Sequence, residues 1–141
     1  GFDDWWQKSG NWYINSSINK GDFDRFSLKN GFNKGDIMVL KGKKTENIAI
    51  GDVVVFWSAK KDPIIHRVVK KWQDKDIYYF QTKGDNYKTN PMSIKSAFLD
   101  ETNIGEEQIV GNAVLRIPLL GYVKILFVEM FNILKDIIQK G

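Results

Sequence analysis

Between Gly35 and Ile117 the chain is cut into short runs of β-branched and other apolar residues, each closed by a polar or glycine-containing break. Such runs are too short for packed helices and have the composition of strands, so this stretch can bury a core only by pairing them into a sheet. GDIMVLKG and GDVVVFWS each open on Gly-Asp, and IIHRVVKKW and IYYFQTKG flank the turn-like QDKD and read as a hairpin. IVGNAVLRI, residues 109–117, ends at Pro118, whose missing N–H stops further ladder pairing. The pattern predicts a mainly β fold of short strands with little helix between them. The 141 residues suit a single domain, with an aromatic arm over 1–25, the β core over 26–118 and a distinct tail over 119–139.

The two flanks have their own patterns. Trp5, Trp6, Trp12, Tyr13 and Phe23 stand among polar residues and glycines, and are expected to pack as an arm onto the core. Indole and phenol rings also favour a headgroup layer, which makes an interfacial anchor the alternative. In the tail, Leu120, Val123, Phe127, Phe131, Leu134 and Ile138 recur at helical spacing and predict an amphipathic helix over 119–139. That helix would pack on the core or a partner, or lie in a membrane interface. Glu129, Lys135 and Asp136 argue against a span.

Composition narrows the chemistry. There are no cysteines, which excludes a disulfide scaffold, a thiolate metal site and a cysteine nucleophile. A single histidine, His66, makes a histidine-based metal site improbable. The net charge of +4 comes from lysines and arginines interspersed with acids, as in KGKKTE and KKWQDKD, so no nucleic-acid partner is expected. Weak attraction to an anionic membrane surface is compatible with it.

His66 lies in DPIIHRVV, within a predicted strand. A histidine among Ile64, Ile65, Val68 and Val69 is ordinarily structural, yet imidazole is the side chain whose unperturbed pKa, about 6.5, suits base work near neutral pH. Arg67 alternates to the opposite face, where a carboxylate should meet it. Ser27 before a strand is by default a turn or cap residue, and Asp85 in GDN a turn-former.

Read together, SLKNGFNKGDIMVL, IGDVVVFW, PIIHRVV and TKGDN resemble the type I signal peptidases of the archaeal and endoplasmic-reticulum branch. Members of that branch have a serine in a Ser-Met-x-Pro motif, then a Gly-Asp opening the next strand. An Ile-His-Arg-Val segment and a Lys-Gly-Asp-Asn turn follow. The likeness runs over about residues 26–123, closing on IVGNAVLRIPLLGYV, and the most specific part is the ordered pair PIIHRVV and TKGDN. It implies a signal-peptidase-like β core in which Ser27 is the nucleophile, His66 its general base and Asp85 the group that orients His66, directly or through its turn. It further implies extended secretory precursors as substrates, with small residues before the cut, and neither a metal nor an organic cofactor. A location at the extracytoplasmic face of a membrane, with the anchor upstream of Gly1, would follow. Leu28 and Asn30 stand where the family has Met and Pro, and Asn90 and Pro91 where it has a second aspartate. The alternative expectation is therefore an inactive homologue that binds extended peptides without cutting them.

Overall fold

The computed structural model describes residues 1–33, 35–42, 44–118 and 124–127. Two helices come first, α1 (Phe2–Asn15) and α2 (Lys20–Asp24). Strands β1 (Ile37–Lys41), β2 (Val53–Phe56), β3 (Ile64–Asp74), β4 (Ile77–Lys83), β5 (Ile104–Gly105), β6 (Ile109–Ile117) and β7 (Lys124–Phe127) follow. They form one sheet in the order β5-β4-β3-β2-β6-β1-β7, antiparallel except for the β1–β7 pair. The mainly β expectation holds.

The two Gly-Asp openings are the same device used twice. Gly35 and Gly51 take φ of +103° and +98°, a region L side chains rarely enter, and each turns the chain into a strand. The aspartate after each glycine then closes the turn: Asp36 accepts from the Asn33 N–H at 2.7 Å, and Asp52 from the Ala49 N–H at 3.0 Å. The Asn33 N–H and the neighbouring Arg116 guanidinium hold the Asp36 carboxyl below its ordinary value. The β3–β4 hairpin turns on Lys75 and Asp76, both at positive φ, as a two-residue hairpin loop twisted to match its strands requires.

Alternation along the strands sorts the core into two faces. Val54, Phe56, Val68 and Phe80 pack with Ile48, Leu99 and Ile104 on one face. Met38, Leu40, Val53, Val55 and Ala113 form the other, covered by Leu28, Phe32 and Ile65. Each such buried side chain contributes on the order of 1.5–3 kcal/mol. A register shift between Val68 and Lys70 places Val69 under a third cluster, where the aromatic arm docks.

That arm is helical. Phe2, Trp5, Trp6 and Tyr13 recur at three- and four-residue spacing, Asp3 and Asp4 sit favourably in the first turn of α1, and a reciprocal Asn19–Asp22 box opens α2. The rings pack around Phe23, which is fully buried, Trp5 tilted against it and Tyr13 edge-on. The arm packs on the core as expected.

The tail departs from its pattern. Lys124–Phe127 form a strand parallel to β1, where the spacing predicts helix. A short apolar run fits either period, and the free edge of β1 supplies the hydrogen bonds that decide it. The rest of the predicted helix over 119–139 lies outside the described residues.

Candidate active site

His66 and Arg67 are consecutive on β3 and point to opposite faces of the sheet. Each meets a carboxylate, and the two environments differ in kind.

On the first face, His66 Nδ1 is hydrogen-bonded to Glu101 Oε1. Glu101 is completely buried, in the turn between Leu99 and Ile104. Its oxygens are held by two further donors: Thr82 Oγ1 gives a bond of 2.8 Å to Oε1, and the Ile94 N–H one of 2.8 Å to Oε2. The backbone of Glu101 is pinned as well, its N–H to Ile94 and its carbonyl to the Thr82 N–H on β4. An ionised carboxylate can only accept, so with Glu101 charged and the ring neutral the imidazole donates through Nδ1 and leaves the lone pair on Nε2.

Nε2 faces a cavity of about 580 Å³ lined by His66, Ile65, Gly84, Asp85, Asn90 and residues 29–33, among others. That is the size range of sites for small ligands or a few peptide side chains. Gly84 keeps the way open, because a Cβ there would lie 2.7 Å from both His66 Nε2 and Asn90 Cγ. Asn90 therefore flanks the open nitrogen rather than Nδ1.

On the other face, Arg67 is fully buried and all five of its N–H groups are used. Nε and Nη2 bind the Asp85 carboxylate, with the shortest contact 2.7 Å. Nη1 donates to the carbonyls of Ser27 at 2.8 Å and Gly51 at 2.7 Å, and Nη2 also to Leu28 at 2.9 Å. The guanidinium lies 4.8 Å from the Phe23 ring centroid. Asp85 also ties down the arm, its carboxylate accepting from Tyr13 Oη at 3.2 Å and its carbonyl from Trp5 Nε1 at 2.8 Å. Burial beside Asp85 pushes the Tyr13 phenol far above its ordinary value. Lys83, also buried, donates to the Gly84 carbonyl, and burial lowers its pKa to about 8 against the pull of Asp85 and Glu101.

The expected carboxylate for Arg67 is thus present, and it is Asp85. The carboxylate at the imidazole is Glu101, and Asp85 reaches His66 only through the turn that carries Gly84. Ser27 is brought to the same strand by its carbonyl, on the Arg67 side, while its side chain is exposed and, among the described residues, has no hydrogen bond to His66. Residues 29–33, which follow it, do reach the cavity wall. Glu101 escaped sequence reasoning because it belongs to no strand and stands in FLDETNIG, 35 residues from its partner. An acid between the apolar Leu99 and Ile104 was the only available signal.

No family model matches the chain. Curated relatives do: it is 34% identical over 105 residues to the signal peptidase complex catalytic subunit SEC11 of Metarhizium robertsii, covering 73% of this chain and 60% of the relative. The same-named protein of Clavispora lusitaniae is 34% identical over 107 residues, with 73% and 61% covered. That of Komagataella phaffii is 38% identical over 112 residues, with 73% and 63% covered. The chain spans about three fifths of the length of these relatives. With a β core carrying the Gly-Asp strands, the Ile-His-Arg-Val strand and the Lys-Gly-Asp-Asn turn in the expected order, the chain is a homologue of the signal peptidase complex catalytic subunits, which are type I signal peptidases.

Proposed function

We propose that the chain is the catalytic part of a serine endopeptidase that removes signal peptides from secretory precursors. The observation that carries this reading is an imidazole held through Nδ1 by a buried carboxylate while its other side borders a cavity with room for a few peptide side chains. Nothing in an ordinary structural histidine requires that asymmetry.

In the proposed reaction, His66 Nε2 takes the Ser27 hydroxyl proton as Oγ attacks the scissile carbonyl carbon. The proton then passes to the departing amine as the C–N bond breaks, leaving an ester on Ser27. Water, deprotonated by the same nitrogen, releases the acid and restores the hydroxyl. Asp85 acts through its turn, keeping Gly84 beside the ring. Ser27 lies on the Arg67 side in the free chain, so this step requires residues 27–33 to rearrange when substrate binds, at the expense of the Ser27 and Leu28 carbonyl bonds to Arg67. Contacts that are open in a free enzyme commonly close in the complex.

Resemblance and relatives support the substrate class, a precursor with small residues before the cut. They also support work at a membrane, with the site on the extracytoplasmic side, in company with other subunits of a complex. No helix among the described residues is long and apolar enough to cross a membrane. The test is cleavage of a signal-peptide precursor in lipid or detergent by the full chain and by S27A and H66A. The unmodified chain should cut, and each variant should lose activity on the order of 10³-fold or more. Precursor bound but never cut, or S27A cutting as well as the unmodified chain, would overturn the peptidase in favour of a peptide-binding homologue.

A further inference from the structure

We infer that Glu101 is the positioning residue for His66, in the place the sequence motif leaves to Asp85. The inference rests on the peptidase reading for its catalytic meaning, but its structural content stands apart from that reading. Both acids are candidates by distance along the chain, and their partners separate them. The Asp85 carboxylate is committed to Arg67, a permanent cation, and to the Tyr13 hydroxyl, on the far side of β3. Glu101 shares the face of His66, is fully buried, and is oriented by Thr82 and Ile94 so that its remaining acceptor meets Nδ1. A carboxylate in that position fixes both the ring's rotation and its tautomer, and stabilises the imidazolium that forms when Nε2 accepts a proton.

The geometry makes a sharp prediction for E101Q. The glutamine oxygen must stay on the Ile94 N–H, which can only donate, so its amide NH2 turns toward His66. Nδ1 then has to accept, and the ring proton moves to Nε2, which can no longer act as a base. Since His66 is the only histidine, ring nitrogen NMR of the full chain reads this one residue without ambiguity.

The unmodified chain and D85N should both show the proton on Nδ1, E101Q should show it on Nε2, and E101A should show no fixed tautomer. In cleavage, E101Q should lose kcat on the order of 10³–10⁴-fold with KM little changed, and E101D should recover part of it. Should E101Q not fold, T82V removes one of the two donors that aim the carboxylate, and should loosen the Nδ1 tautomer in folded protein. A tautomer unchanged in E101Q, or lost in D85N and kept in E101Q, overturns the inference. These readouts do not depend on turnover. If S27A cuts precursor as well as the unmodified chain, the peptidase reading fails while the ring proton still answers for Glu101.

Discussion

The two sides of β3 carry the same kind of pair, a base and an acid, and put it to opposite uses. Around Arg67 every donor is spent: the guanidinium ties Asp85, the loop at Ser27–Leu28, Gly51 and, through Tyr13, helix α1 into one block. Around His66, among the described residues, one ring nitrogen is left over, beside a cavity that Gly84 keeps clear. The lesson is that saturation of hydrogen bonds marks a scaffold, and a single unsatisfied atom on a rigid, buried support marks a place for chemistry. Adjacent residues on a strand can serve both because alternation separates them by the thickness of the sheet.

If this division of labour is right, substitutions on the two sides should part company in what they change. The largest effect belongs to R67A, which strands a part-buried carboxylate and three carbonyls and should cost about 3–5 kcal/mol in urea unfolding. A loss under 1 kcal/mol would mean that the block is not held together by this side chain. Next comes pH. The folded pKa of Lys83 is lowered to about 8, below its unfolded value, so the folded state binds fewer protons between the two. The penalty for a buried ammonium is complete below pH 8 and is relieved as pH rises toward about 10.4, a gain of about 3 kcal/mol relative to K83M. Tyr13 works the other way. Its raised pKa makes stability fall as pH climbs past about 10, so the unfolding free energy should peak near that pH. A stability profile for the unmodified chain that runs parallel to K83M from pH 7 to 10 would contradict this account of the Arg67 side.

On the His66 side, G84A introduces a Cβ against Nε2 that the Glu101 bond prevents the ring from escaping. It should lower kcat/KM on the order of 10²-fold, while unfolding shows that the protein still folds. Full activity in G84A would show that Nε2 is not the working nitrogen. The smallest effect is expected for Y13F, which removes one hydroxyl from the Asp85 network. About 1 kcal/mol of stability should go, with cleavage per folded molecule unchanged.

How far the sequence reached follows the same division. The strands were legible because each is a compact β-branched run between turn residues, and Gly35-Asp36 and Gly51-Asp52 are turns whose chemistry is local. His66 was legible as the only imidazole, and Arg67 as a residue owing a carboxylate to the opposite face. Two things were not. Lys124–Phe127 became a strand because the edge of β1 was available, a fact about three-dimensional pairing that a hydrophobic period does not carry. Glu101 was missed because its partner is fixed by the way the turn before β5 folds back over β4, with Thr82 bonding both its carbonyl and its carboxylate. Asp85 looked like the acid of the site because it stands in a recognisable motif, whereas contacts across the sheet give it to Arg67.

The central claim is that one imidazole, its Nδ1 secured from behind, awaits one hydroxyl at Nε2. A crystal structure of the H66N or S27A chain with an uncleaved precursor-derived peptide in the cavity would localise the groups but remove one of them. The unmodified chain bound to a peptide with a non-cleavable ketone in place of the scissile amide keeps both. There the account predicts Ser27 Oγ at about 3 Å from His66 Nε2 and bonded or aimed at the carbonyl carbon, with Glu101 still on Nδ1. Ser27 left on the outer surface while the peptide occupies the cavity would contradict it.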